Sequence, residues 1–165
     1  MKKLFFVLAL GILAITLTAC TAKGEKVDQT ATIKTHRGDI VINLDAKAAP
    51  KTVENFVKKS ESKEYDGRIF HRVEDWVVQG GDPDGNGTGG GDQATELSDR
   101  DFVEGAVGIA RGGDIKISNA DQFFFCTKNC SFLNKQYTYF GLVTSGMDVI
   151  KKIEIGDKIN SIEIK

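Results

Sequence analysis

The sequence predicts a mainly β domain, an antiparallel barrel or sandwich carrying two helices. Three observations predict it. Short apolar runs with two-residue alternation recur along the chain, glycine-rich turns separate them, and only two stretches show helical spacing. At 165 residues the chain suffices for one domain with a sizeable core, not two. Its 22 Lys and Arg against 23 Asp and Glu lack the basic excess of a nucleic-acid-binding protein. A 41% hydrophobic content with a net charge of −1 excludes a disordered chain. Three cysteines do not make a disulfide scaffold, and His36 and His71 alone exclude a His-rich metal site.

The front of the chain reads as an address. Met1-Lys2-Lys3 is a basic start, followed by an apolar run from Leu4 to Leu17. As a helix that run reaches about 21 Å, short of the roughly 30 Å hydrocarbon core, so it fits a signal peptide better than a membrane span. Leu17-Thr18-Ala19-Cys20 then resembles the lipobox of bacterial lipoproteins, which implies cleavage before Cys20 and a lipid on its sulfur. An ordinary secretory signal with Cys20 there by chance is the alternative. The expected organisation is a signal peptide over 1–19, a lipidated Cys20 with a flexible tether over 20–29, and a folded domain over 30–165. Nine residues of coil, 21–29, span roughly 15–18 Å and hold the domain near a bilayer.

The domain itself starts with a hairpin. Thr32–Arg37 alternates loosely, Gly38-Asp39 makes the turn, and Ile40, Ile42 and Leu44 share one face of the second strand. Pro50 stands at a first helical turn, with Val53, Phe56 and Val57 following at helical spacing to about Ser60. Strand-like runs recur at 68–73, 76–79, 106–110, 122–127 and 139–143. A second helix is expected over 147–153 with Val149, Ile150 and Ile153 inward, and 159–164 closes the chain as a strand. His36 is expected on a strand surface, and His71 on the opposite face of its strand from Arg72, buried rather than acting as a base.

The central segment is more specific. Seven of the twelve residues from Gly80 to Gly91 are glycine, yet no Gly-Lys-Ser/Thr follows and no βαβ frame surrounds them. That excludes a P-loop and a dinucleotide fingerprint, and leaves tight turns and close approach of a ligand backbone. FHRV (70–73), WVVQGGD (76–82), GNGTGG (85–90), QFFFCT (122–127), FLN (132–134) and YFG (139–141) come in one order along the chain. This series resembles the cyclophilin family of peptidyl-prolyl isomerases from about Thr30 to Lys165. The resemblance implies a closed antiparallel β-barrel of eight strands capped by two helices.

The resemblance also implies a site. Arg72 matches the family's catalytic arginine, and Gln79 the glutamine that positions it and the substrate. Trp76 and Val77 fall where the family lines its proline pocket with Phe and Met. Phe124 matches the pocket floor, Gln122 the polar residue beside it, and Leu133 the pocket leucine. Ala110, Arg111 and Gly112 match the stretch that pairs with residues preceding the substrate proline, and Gly87 lies on the surface that sets preference before it. Tyr137 stands where eukaryotic members have histidine, and Phe132 where they have tryptophan. The 72–79 segment is shorter, and the 112–120 loop longer, than in the best-known members.

The residue types suit such chemistry. Rotation about a peptide bond meets a barrier of about 18–20 kcal/mol from resonance alone, so lowering it needs no nucleophile, metal or cofactor. A guanidinium beside an apolar slot can donate a hydrogen bond to the prolyl nitrogen once twisting frees its lone pair. The expected partners are proline-containing polypeptides outside the cytoplasm and, through Cys20, a membrane; neither nucleic acid nor an oligomer is indicated. A proline-segment binding module or chaperone with little turnover is the alternative, and a membrane-tethered interaction domain a third reading. Cys126 and Cys130 would lie about 13 Å apart in extended chain, beyond the roughly 4.4–6.8 Å a disulfide spans, although a turn over 127–129 leaves the pairing open. Two thiols without a nearby histidine make half a zinc site. Because Phe132 lacks the indole N–H that cyclosporin uses in the family, cyclosporin should inhibit the domain only weakly. An inhibition titration giving a nanomolar constant would refute this.

Overall fold

The computed structural model describes residues 29–165; the expected signal peptide, Cys20 and the rest of the tether lie outside them. The hairpin consists of β1 (Thr30–Thr35) and β2 (Gly38–Leu44), with Thr35 opposite Gly38. Its turn is therefore His36-Arg37, two residues earlier than expected, and His36 sits in that turn and not on a strand. The Thr35 hydroxyl explains the shift: it accepts from the Arg37 amide at 3.1 Å and donates to the Gly38 carbonyl at 2.8 Å. Gly38 needs φ +131°, and a Cβ there would come within 2.9 Å of Val149.

Helix α1 (Pro50–Glu61) starts on a proline, and its first free amides find a distant cap. The Glu96 carboxylate accepts from Lys51 N at 3.1 Å and Thr52 N at 2.8 Å. The chain continues through β3 (Phe70–Glu74), β4 (Val77–Gly80), β5 (Asp92–Ala94), β6 (Ala106–Ile109), β7 (Ile117–Asn119) and β8 (Phe123–Cys126). A 3₁₀ turn (Ser131–Leu133), β9 (Tyr139–Ser145), α2 (Met147–Ile150) and β10 (Ser161–Ile164) complete it. Helix α2 is shorter than expected, although Ile153 just beyond it is buried at 3% exposure. The small β5–β7 sheet has too few residues to show a period, and the sequence does not announce it.

Eight strands form one antiparallel sheet in the order β10-β1-β2-β9-β6-β8-β4-β3. The expected closed barrel is not what this pairing makes. The sheet curls into an open half-barrel, because the edge strands β10 and β3 share no ladder. Their approach is limited to an Ile69–Lys158 bridge and backbone bonds such as Ile159 N to the Arg68 carbonyl, 2.8 Å. Inside the curl, Ile33, Ile40, Ile42 and Leu44 pack with Val53 and Phe56 of α1. Phe56 lies 5.2–5.6 Å, centroid to centroid, from Phe140, Tyr65 and Phe123. A second apolar cluster, including Val77, Phe102, Phe124, Cys126 and Leu133, lies outside the first.

One buried ion cluster ties the glycine-rich segment to this frame. Asp121, 5% exposed, accepts from Lys59 Nζ of α1 at 2.8 Å, Arg68 Nη1 at 2.9 Å and the Gly91 amide at 3.0 Å. Burial by itself raises the Asp121 carboxyl, but Lys59, Gly91 and Arg68 outweigh it and hold the group below the usual carboxylate range. A carboxyl lowered on folding adds stability in full above its unfolded value near 3.9, and that contribution is lost as pH falls through the lowered folded value. Asp121→Asn should therefore cost about 3 kcal/mol at pH 7, since it removes the carboxylate paired with Arg68 and one of the two paired with Lys59, the other being Glu64, and less at about pH 3, below the unfolded value. Urea denaturation of both proteins at the two pH values measures the difference; an equal cost at both would contradict it.

Candidate functional site

Strand β8 sets the site. Its side chains alternate, so Phe123 and Phe125 enter the inner core while Phe124 joins the outer cluster. Both faces are thus covered, which is why all four residues of the strand are buried. Neighbouring strands supply same-face partners: Phe124 lies opposite Gln79 of β4 and opposite Gly108 of β6. Gly108 is required for space, because a Cβ there would meet the Phe124 ring at 2.4 Å and Phe102 at 2.7 Å. Phe102 stacks on Phe124 at 5.9 Å and fixes the ring from behind. No local period or motif marks Phe102, which arrives from an irregular segment.

The β3–β4 hairpin delivers the charged group. Its register slips between Phe70 and Arg72, so that Phe70 faces Gly80 and Arg72 faces Gln79. This irregularity lets two residues of like parity serve different places: Phe70 is in the inner core, whereas Arg72 lines the outer cavity. His71, the residue between, has both ring nitrogens buried without a partner. Burial, with a contribution from the Arg72 charge, lowers its pKa against the opposing pull of Asp82 and so favours the neutral ring at neutral pH.

Arg72, Trp76, Val77, Gln79, Ala110, Arg111, Phe124, Leu133 and Tyr137 converge on one cavity of about 140 Å³. That admits one small ring or side chain, well below the roughly 300–1,000 Å³ of drug-sized sites. Wider depressions of about 500 and 580 Å³ run along α1 and behind the β3–β4 hairpin, but charged, solvated side chains such as Glu54, Lys58 and Lys151 line them. Four residues expected at the site do not line the cavity. Gln122 stands behind Gln79, Gly87 offers only its carbonyl to Gln122, and Gly112 only its carbonyl to Arg111. Phe132 is 58% exposed and leans edge-on against Trp76, 5.1 Å between centroids.

A polar chain crosses the cavity's back wall. Arg72 Nη1 donates to Gln79 Oε1 at 3.3 Å, and Gln79 Nε2 donates to Gln122 Oε1 at 2.8 Å. Gln122 Nε2 in turn donates to the Gly89 carbonyl at 2.8 Å and the Gly87 carbonyl at 3.2 Å. Gln79 and Gln122 are 9% and 3% exposed, so these bonds fix both amides. Opposite them, Arg111 lies 4.5 Å above the Tyr137 ring and donates to the carbonyls of Gln136 and Gly112. The result is a guanidinium held at the rim of an aromatic slot, with no nucleophile directed into it. Among the described residues no group of three His, Cys, Asp or Glu side chains is placed to hold a metal.

The two cysteines of the domain lie under this slot. Cys126 and Cys130 are both buried and free, so the pairing left open by the sequence is not formed. Cys130 Sγ donates weakly to the Lys128 and Trp76 carbonyls, 3.4 and 3.6 Å away. Burial pushes both thiols up, and neither is a thiolate at neutral pH.

The match to known proteins covers the whole domain. Residues 30–164 fit the family model described as cyclophilin type peptidyl-prolyl cis-trans isomerase/CLD. The chain is similar to a Helicobacter pylori peptidyl-prolyl cis-trans isomerase, 37% identical over 149 residues that cover 85% of this chain and 90% of that one. It is equally similar, at 37%, to a Rhizopus delemar peptidyl-prolyl cis-trans isomerase, covering 88% of this chain but only 24% of the longer protein. About a quarter of the length is likewise spanned in the Gibberella zeae and Schizosaccharomyces pombe relatives. Among solved structures, a Cryptosporidium parvum cyclophilin type isomerase superposes with a TM-score of 0.77 at 27% identity, covering 84% of this chain and 98% of that one. A second structure of that protein, in the presence of the dipeptide Ala-Pro, gives 0.72 at 26%, covering 82% and 96%. In a soluble domain beginning at Thr21, Cys126 and Cys130 should resist a thiol reagent such as Ellman's until the domain unfolds, and then titrate as two thiols. Absence of two reactive thiols after unfolding without reductant would overturn the free pair.

Proposed function

Because the chain belongs to the cyclophilin-type peptidyl-prolyl cis-trans isomerases, we propose that it accelerates rotation about Xaa–Pro bonds in polypeptide substrates, with Arg72 acting on the twisted amide. One observation carries the reading. The Arg72 guanidinium, steadied by Gln79, stands at the rim of a slot floored by Phe124 and Leu133 and walled by Trp76 and Val77. A proline ring in that slot is held still by apolar burial while the preceding carbonyl turns. The twisted amide loses conjugation, and its nitrogen gains a lone pair that accepts a hydrogen bond from Arg72. This interaction exists only in the transition state, so it lowers the barrier without tightening the ground state.

The Arg111–Gly112 backbone would pair with substrate residues before the proline; Ala110, expected to share in this, already has its amide bonded to the Gln122 carbonyl and its carbonyl to the Asn119 amide. The buried Gln79–Gln122 pair fixes the amide oxygen that accepts from Arg72 Nη1, and so anchors one point of the guanidinium. The lipobox-like Leu17-Thr18-Ala19-Cys20 supports an extracytoplasmic setting, with clients that fold outside the cytoplasm near a membrane.

The test is cis/trans exchange of a short Ala-Pro peptide, measured by NMR with a soluble domain starting at Thr21. Uncatalysed exchange takes roughly 10–100 s, so acceleration is readily seen. Arg72→Ala, checked for folding, should reduce the catalysed rate by about 100-fold or more, the usual cost of one preorganised donor. A folded wild-type domain that binds the peptide without accelerating exchange would favour a proline-segment binding module instead.

A further inference from the structure

Arg72 has a second partner that neither motif nor spacing singled out. Glu74 lies two residues further along β3, on the same side of the strand. Its carboxylate takes the side-on edge of the guanidinium: Arg72 Nε donates to Oε1 at 2.8 Å and Nη2 to Oε2 at 3.1 Å. This is the two-pronged geometry that fixes a planar guanidinium in orientation as well as position. The same hydrogen bonds hold the Glu74 carboxyl below its usual range, with a smaller contribution from the Trp76 indole N–H. Arg72 also lies 5.2 Å above the Trp76 ring. Glu74, Arg72 and Trp76 thus form one cluster at the turn of the β3–β4 hairpin.

We infer that Glu74 is a positioning residue for the isomerisation, clamping one edge of the Arg72 guanidinium so that the opposite edge is presented to the twisted prolyl amide. The inference rests on the proposed isomerase reading. A guanidinium carries five N–H donors. Two go to Glu74 and one to Gln79, which leaves two on the end-on Nη1 and Nη2 groups for substrate. The side chain of Arg72 is 40% exposed, so without Glu74 the long arm would sample solvent around its single 3.3 Å contact with Gln79. The clamp lowers the net charge at the slot, yet it removes the entropy of finding the productive rotamer. Because the pair is half-exposed, its effect is modest.

The experiment compares wild type, Glu74→Ala, Glu74→Gln and Arg72→Ala in the soluble domain starting at Thr21. For Glu74→Ala, kcat should fall about five-fold with KM unchanged, equivalent to about 1 kcal/mol of transition-state stabilisation. Glu74→Gln, which keeps one acceptor oxygen, should recover part of that loss. The melting temperature should stay close to that of wild type, as for other exposed substitutions. Independently of turnover, the Arg72 Nε–H resonance should be slow to exchange with solvent in wild type and fast in Glu74→Ala. A wild-type domain that catalyses no exchange refutes the isomerase reading, while the Nε–H signal still reports on the clamp. An active wild type with Glu74→Ala at or above its rate, or with an unchanged Nε–H signal, overturns the clamp alone.

Discussion

The two-residue period of β8 is the constraint on which the rest of the molecule depends. A strand can put Phe124 on one side only if Phe123 and Phe125 go to the other, and here both sides are already committed. The inner pair closes the core against Phe56, Tyr65 and Phe70. The outer ring becomes the floor of the slot. A register slip by one residue would move the core aromatics to the outer face and withdraw the floor at once, so stability and site share one specification.

Around that strand the polar groups divide into two kinds. Asp121, Lys59 and Arg68 are partly or wholly buried and paired, with Glu64 as the second carboxylate on Lys59, and they join α1, the glycine-rich segment and the start of β8. Their role is to hold elements together. Arg72 is different: its carboxylate partner is half-exposed, and its other contacts are a neutral amide and an aromatic face. A guanidinium with free donors beside an apolar slot would cost stability if buried outright. Keeping it at the rim leaves it solvated until a substrate covers it.

Much of this was legible in the chain. The alternation of 40–44, the proline at the head of α1 and the ordered motifs from 70 to 141 point to the right elements and to nine residues that do meet at one cavity. What was not legible came from contacts distant in sequence. Phe102 lies in an irregular segment yet stacks on Phe124, and Glu96 caps a helix that begins 46 positions earlier in the numbering, at Pro50. Glu74 could have been found, since an acidic residue two positions after an arginine on a strand lies on its side. The register slip at His71 could not, because it depends on how β4 meets β3.

By itself the sequence determined the strand and helix periods, the apolar faces and the order of the site motifs, because these are properties of neighbouring residues. Only the tertiary structure decided that the sheet stays an open curl stitched near Ile69 and Lys158, and that the two thiols lie buried and unpaired beneath the slot. It also decided which edge of the Arg72 guanidinium remains free. The physical reason is the same in each case. Closure, burial and the last hydrogen bond of a multivalent donor depend on chain segments that meet only after folding, and local periodicity carries no information about where they meet.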